Sequence, residues 1–140
     1  MSENGSKCED FHKYCNNKGP TLTLVKTTKN QVFGGFTPLD WKNEGGEIND
    51  KSSQSFIFSL NLMKKFDMIN KGGKAIRCLK NEGPDFGDED FSLLQNMRKG
   101  RTFANKSCNY LSNNNLELTG AKGECEYFET EELEVYKVII

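Results

Sequence analysis

Residues 19–37, GPTLTLVKTTKNQVFGGFT, decide the fold because they predict a local structure with little ambiguity. The first half is rich in strand-forming residues, and Leu22 and Leu24 share one face of the expected strand. A polar turn follows, after which a second strand alternates again, so the stretch predicts an antiparallel hairpin. The adjacent Gly34 and Gly35 weaken a strand, which indicates a bulge or a close approach by a neighbouring side chain or backbone.

Length and composition limit the class of protein. The chain has 140 residues and a mass of 15.9 kDa, the size of one domain. Nearly balanced charges, 19 Lys+Arg against 20 Asp+Glu, disfavour a nucleic-acid partner. No apolar run approaches the roughly 20 residues of a membrane span, and the start lacks the apolar core of a signal peptide, so we expect a cytoplasmic protein. Five widely spaced cysteines favour reduced thiols over a disulfide framework.

A short helix is expected before the hairpin. Ser6 and Glu9 fit a capping box, in which both side chains satisfy unpaired amides at a helix start. The helix should end near residues 16–17. Phe11 and Cys15 lie at helical spacing and give it a modest apolar face that can dock on a sheet.

Strands and loops alternate after the hairpin. Trp41 is expected to anchor the chain where it leaves the sheet. Residues 42–53 are charged and Gly-rich, which predicts a surface loop. SFIFSL at 55–60 predicts a strand with two phenylalanines and a leucine on one face. Residues 61–73 fit a loop, a short strand or one helical turn equally well.

The second half of the chain predicts further strands. KAIRCL at 74–79 is one, GPDFG at 83–87 forms a glycine-dependent corner, and a short extended stretch follows at 91–94. The final run, ELEVYKVII at 132–140, should be a well-buried terminal strand. Together these elements indicate a mainly β (α+β) fold, a two-sheet antiparallel β-sandwich with a short N-terminal helix and long loops.

Several motifs follow one another in a specific order: FHKYCNNKGPTLTLVKT, QVFGGFT, SFIFSL, KAIRC, GPDFG and LEVYKV. In this order they resemble the TLDc domain family, which includes the oxidation-resistance proteins. The resemblance implies one TLDc-like domain over residues 1–140, in which most matching positions are structural. These positions are Gly19, Pro20, Thr21, Phe33, Gly34, Gly35, Trp41, Phe58, Ser59, Gly83, Pro84, Phe86, Gly87, Glu134 and Val135.

The resemblance also implies a function. Family members take part in resistance to oxidative stress, and several eukaryotic members bind the vacuolar proton pump, the V-ATPase, and regulate its assembly. We therefore expect a non-enzymatic protein-interaction module with a protein partner such as V-ATPase subunits, and with no cofactor. The alternative is a thiol-based redox protein that consumes or senses peroxide. A third possibility is a structural protein that oligomerises through an open sheet edge.

Two departures from the family pattern stand out. Acidic residues at 88–90 follow the corner, where the family usually continues with glycines. The SENG sequence at 2–5 resembles a motif that relatives place after a helical segment and an apolar strand, which predicts a domain shortened at its N-terminus with an exposed sheet edge. The acidic stretches at 88–90 and 129–132 are candidates to dock a basic partner or chelate a cation, although a solvated face is the usual outcome.

The cysteines are the candidates for reactive chemistry. Cys108 lies in a polar loop and is the best candidate redox thiol, followed by Cys8 and Cys15. Cys8, His12 and Cys15 lie at i, i+4 and i+7, so a helix would present them on one side as metal ligands or as a thiol and its base. A structural zinc site needs a fourth ligand, and a catalytic site needs an oxyanion donor, and the sequence offers neither. We expect no metal and no catalytic residue.

Overall fold

The computed structural model describes residues 8–87, 90–94, 96–103, 110 and 125–139. Within them the chain forms one short helix, α1 (Cys8–Cys15), and is otherwise mainly β, as expected. No helix in this part has the length and apolar character of a membrane span. The strands are β1 (Thr21–Thr27), β2 (Val32–Thr37), β3 (Gly46–Asn49), β4 (Phe56–Ser59), β5 (Lys64–Asp67), β6 (Lys74–Cys78), β7 (Asp85–Phe86), β8 (Phe91–Leu93), β9 (Lys99–Phe103) and β10 (Cys125–Lys137).

The strands form one continuous antiparallel sheet in the order β3-β6-β7-β8-β9-β10-β1-β2-β4-β5. The long strand β10 pairs with β9 through its first part and with β1 through its second part. We call the two parts of the sheet on either side the β9 half-sheet and the β1 half-sheet. The two half-sheets pack face to face. Their contact is seen at Phe33 of β2, whose ring lies against those of Phe91 and Phe128 at centroid distances of 5.4 and 5.2 Å. The expected two-layer sandwich is therefore present, and its layers share one strand.

A β-bulge turns β10 from one half-sheet into the other. Lys26 pairs with Glu132 while the next residue, Thr27, pairs with Thr130, so Glu131 is the extra residue. Because one added residue inverts the alternation of a strand, Leu133 faces the core after the bulge as Thr130 does before it. The other face stays exposed, the strand ends at Lys137, and Ile139 is 90% exposed. The prediction of a well-buried terminal strand at 132–140 is therefore wrong except at Leu133 and the half-buried Val135.

The glycines of β2 permit two close approaches. A Cβ on Gly35 would lie 2.7 Å from the ring of Phe86 in the opposite half-sheet. A Cβ on Gly34 would lie 1.9 Å from the backbone oxygen of Thr23. The β1–β2 register runs through both glycines without a shift, so the structure confirms the close approach and contains no bulge there.

The inward faces of β1 and β4 are less apolar than their outward faces. Leu22 and Leu24 are only half-buried, while Val25 and three threonines of β1 face the core. The strongly apolar face of 55–60 also points outward, since Ile57, Ser59 and the preceding Ser55 are buried and Phe56 is not. Alternation correctly separates the faces, but hydrophobicity does not identify the inner one.

One stretch of expected loop and one stretch of undecided conformation contain strands. Residues 46–49 form β3, which pairs with β6, so the predicted surface loop at 42–53 is wrong in its middle. The strand escapes detection because it has four residues and a single apolar side chain, Ile48, which packs against the core. In 61–73, where three conformations were open, the chain makes a turn and then β5.

Helix α1 packs against Trp41. The Phe11 ring contacts the indole at a centroid distance of 5.4 Å, and Asn17 donates its N–H to the Trp41 carbonyl at 3.0 Å. Trp41 is fully buried and contacts Phe86 at 5.6 Å, which confirms its expected role as an anchor. The capping residue Ser6 lies outside the described residues.

Candidate interaction site

A cleft of about 710 Å³ lies along α1. The helix supplies one wall, and the others come from the loop after Trp41, the loop between β6 and β7, and the segment from the end of β8 to the start of β9. A volume of this size is in the range that accommodates a small ligand or a few residues of a peptide. The cleft is therefore a candidate interaction site.

His12 holds one wall of the cleft in place. The ring is buried, and Nε2 lies 2.8 Å from the Leu79 carbonyl oxygen and 2.9 Å from that of Glu82. Because both partners are acceptors, Nε2 carries a proton and donates to them. Nδ1 lies 2.9 Å from Oδ1 of Asn16. The imidazole therefore ties α1 to the β6–β7 loop, and each of its nitrogens faces a partner other than a thiol.

The thiols of Cys8, Cys15 and Cys78 are structural. Cys8 is buried and donates to the Lys80 carbonyl oxygen at 3.5 Å. Burial raises the pKa of the Cys8 thiol, raises that of Cys78, and raises the pKa of Cys15 to about 11. These groups are therefore protonated at neutral pH, and a protonated thiol is a poor nucleophile and a poor metal ligand.

The structure does not bring Cys8, His12 and Cys15 together as a metal site. Among the described residues, no three His, Cys, Asp or Glu side chains are grouped as a metal would require. Cys8 and His12 both line the cleft, but each binds backbone oxygens of residues 79–82 rather than the other. Cys108, the best candidate redox thiol, lies outside the described residues.

The cleft is basic and rich in amides. Its described lining includes three exposed ammonium groups, Lys13, Lys80 and Lys99, against one carboxylate, that of Glu9. Four asparagines add donors and acceptors, and two of them, Asn16 and Asn43, join across the cleft through a 2.7 Å hydrogen bond. Lysines attract carboxylates and amides pair with peptide groups, so the cleft is equipped for recognition.

No sequence signal marks this cleft. Its lysines lie 67 and 86 positions from Lys13, at 80 and 99, and each belongs to a different element. They meet only because β6, β7, β8 and β9 are consecutive strands of the same half-sheet and α1 packs across the loop that follows β6.

The family-matching glycines and prolines outside β2 lie in the connections between secondary-structure elements. Gly19 has a φ of 73° and donates its N–H to Oδ1 of Asp40 at 2.7 Å. A Cβ on Gly83 would lie 2.2 Å from the sulfur of Met97, and Gly87 has a φ of 72° and donates to the Ala75 oxygen at 2.7 Å. The carbonyls of Pro20 and Pro84 accept from Val138 and Leu93.

Most other matching positions lie inside the sandwich, and two lie outside. Glu134 is exposed on β10, and Phe58 is half-buried on the outward face of β4. Val135 packs against the core from a half-buried position. The buried residues are Thr21, Phe33, Trp41, Ser59 and Phe86.

The two acidic stretches differ in their surroundings. Glu129, Glu131 and Glu132 are exposed on β10. Asp90 is fully buried and accepts a 2.8 Å hydrogen bond from the backbone N–H of Tyr110. The expected solvated tip at 88–90 therefore does not include Asp90.

Comparisons with known proteins identify relatives. The family model described as "TLDc domain" matches residues 1–139. TBC1 domain family member 24 from Xenopus laevis is 34% identical over 62 residues, which are 41% of this chain and 11% of that protein. MTOR-associated protein MEAK7 from Danio rerio is 41% identical over 46 residues, 33% of this chain and 10% of that protein. The matches thus span about a tenth of the length of these relatives.

Proposed function

Because the chain belongs to the TLDc domain family, we propose that it is a non-enzymatic protein-interaction module whose cleft beside α1 receives a segment of a partner protein. Its partner in this proposal is the V-ATPase, and binding there contributes to resistance to oxidative stress. The protein acts in the cytoplasm, where the cytoplasmic sector of the pump is accessible.

The chemistry of the cleft carries this proposal. The two lining groups with catalytic potential, Cys8 and His12, are buried and engaged in hydrogen bonds that hold α1 in place. The accessible groups are mainly lysines and asparagines, with the one carboxylate of Glu9, and lysines and asparagines bind carboxylates and peptide groups without breaking covalent bonds.

The relatives support a modular role. Similar stretches occupy about a tenth of two proteins with different names, which is the distribution of a module that is combined with other sequences. One of these relatives is named for its association with mTOR. We propose that this chain, too, associates with a protein.

A binding experiment tests the proposal directly. Immobilised full-length chain is incubated with purified V-ATPase in buffer with and without reductant, and the retained pump subunits are quantified. We compare wild type with Lys13→Glu/Lys80→Glu/Lys99→Glu, which reverses the charge of the cleft. The matched control is Lys29→Glu/Lys51→Glu/Lys71→Glu, an equal charge change at three exposed lysines outside the cleft.

We expect wild type and the control variant to retain the pump. The amount of pump retained by the cleft variant should fall at least about tenfold, since three attractive contacts become repulsive. Failure of wild type to retain any subunit would overturn the V-ATPase proposal. Equal retention by the cleft variant would exclude the cleft as the contact.

A further inference from the structure

The β1 half-sheet presents an apolar surface away from the core. We call this surface the outer face, formed by Leu22, Leu24, Val32, Phe36, Phe56 and Phe58, all half-buried. The strand register arranges these side chains in rows. Leu22, Phe36 and Phe56 lie directly opposite one another in one row, and Leu24, Gly34 and Phe58 form the next.

The outer face is flat at its centre. Gly34 has no side chain, and the ring of Phe58 lies over it so closely that a Cβ there would be 2.8 Å from the ring tip. In the neighbouring row, the rings of Phe36 and Phe56 stack at a centroid distance of 5.5 Å. Lys26 lies on the same face, opposite Val32, and borders this aromatic centre. A flat aromatic surface is suited to packing against another secondary-structure element.

The two flanks of the outer face differ in charge. On the β10 side, exposed Glu134 lies opposite Leu24, and exposed Glu132 lies opposite Lys26. On the β5 side, Lys65 forms a 3.2 Å ion pair with Asp67 and lies over the Phe56 ring. The β5 flank is therefore internally balanced. The β10 flank, with two carboxylates against the ammonium of Lys26, carries a net charge of −1.

The size of the outer face limits what can cover it. Its six residues lie on three adjacent strands, which span about 10 Å, and the stretch from Val32 to Phe36 adds about 13 Å along the strands. A second copy packed face to face would cover a projected area of roughly 130 Å² of this surface per chain, far below the roughly 800 Å² per partner of a stable interface. A helix is about 10 Å across and is recognised through a few anchor side chains, so it matches a patch of this size.

We propose that the outer face docks an amphipathic helix of a partner protein, with an apolar stripe on Leu22, Leu24 and the phenylalanines and with Lys or Arg along the flank over Glu134. This surface is separate from the cleft and points away from the core. It goes beyond the function proposed above, and either site can fail without the other.

Two synthetic peptides of about 14 residues, or about 21 Å of helix, serve as probes. They share one leucine stripe, and they carry either lysines or glutamates along the same flank. Binding to the full chain is measured by fluorescence anisotropy at low salt. The variants are Glu134→Lys on the outer face and Glu44→Lys, an equal change at an exposed loop position away from it. Leu24→Ser reduces the apolar surface, and urea unfolding verifies that each variant is folded.

We expect wild type to bind the lysine peptide at least about threefold more tightly than the glutamate peptide, because exposed ion pairs contribute modestly. Glu134→Lys should abolish or reverse this preference, and Glu44→Lys should leave it unchanged. Leu24→Ser should weaken the binding of both peptides. The cleft variant with three lysines reversed should bind the peptides through the outer face as wild type does.

Three results would overturn the proposal. The first is that neither peptide binds wild type. The second is that Glu134→Lys keeps the wild-type preference although the variant is folded. The third is self-association, detected by light scattering, that Leu24→Ser removes in a protein that binds neither peptide, since this would assign the outer face to a second copy.

Discussion

Nε1 of Trp41 donates a 2.9 Å hydrogen bond to Oγ1 of Thr21, and both residues are buried almost completely. Thr21 begins β1, and Trp41 follows the end of β2. The bond therefore closes the open end of the hairpin, opposite its turn. It also fixes the indole against which α1 packs, so the position of one wall of the cleft depends on it.

Trp41→Phe should destabilise the protein by about 2–4 kcal/mol, because it removes packing and leaves the Thr21 hydroxyl unpaired. Equilibrium urea unfolding measures the change. Thr21→Val serves as the second arm of a double-mutant cycle. The double variant should lose less unfolding free energy than the sum of the losses of the two single variants. Additivity within about 0.5 kcal/mol would show that the two side chains are not coupled.

Gly35→Ala tests the contact between the two half-sheets. The added methyl group would lie 2.7 Å from the Phe86 ring, so we expect a loss of about 1–3 kcal/mol in the free energy of unfolding. Replacing Phe86 by Leu in the same chain should recover part of that loss relative to the sum of the single changes. An unchanged unfolding free energy for Gly35→Ala would contradict the observed packing of β2 against β7.

Asp50 should make stability depend on pH. Burial alone would raise the pKa of its carboxyl, but hydrogen bonds from Ser52 and Ser55 hold the pKa below its ordinary value of 3.8. A lowered pKa in the folded state stabilises the protein above that value, and the stabilisation is lost as the pH falls below about 4. Wild type should therefore lose stability between pH 5 and about pH 2, measured as the urea midpoint.

Asp50→Asn should show a shallower dependence over the same range, because its side chain does not titrate. Asp67→Asn is the matched control, since Asp67 is exposed on β5. Parallel pH profiles for wild type and Asp50→Asn would contradict the assignment of the low pKa to Asp50.

The thiols of α1 and β6 should react slowly. Because burial raises the pKa of Cys8, Cys15 and Cys78, little thiolate is present at neutral pH. Alkylation by iodoacetamide, followed by peptide mass spectrometry, should be much slower than for free cysteine. The rate at Cys15 should rise about tenfold per pH unit until the pH approaches its pKa of about 11. Rapid formation of sulfenic acid at these cysteines with peroxide at neutral pH would support the redox alternative.

Sequence patterns predicted the parts of the fold that depend on local alternation. The hairpin at 19–37, the anchor at Trp41 and the close approach at the two glycines all follow from short-range composition, and the structure confirms them. The strand at 46–49 was missed because this four-residue edge strand has a single apolar side chain, the half-buried Ile48.

Long-range pairing explains the remaining differences. The bulge at Glu131 depends on the register of β10 against β1, which no local pattern encodes. Three threonines and one valine of β1 face the core, and its two leucines face outward. Hydrophobicity alone therefore predicts the wrong face of this strand as buried. The cleft escaped detection for the same reason, since Lys13 and Lys99 meet only in the folded chain.

Survival of peroxide-treated cells tests most directly whether the protein acts by binding rather than by thiol chemistry. Cells that lack their own TLDc protein are supplied with wild type, with Lys13→Glu/Lys80→Glu/Lys99→Glu, or with Cys108→Ser, at equal expression. We predict that wild type and Cys108→Ser restore survival and that the cleft variant does not. Rescue by the cleft variant together with failure of Cys108→Ser would contradict the interaction function and establish a reactive thiol instead.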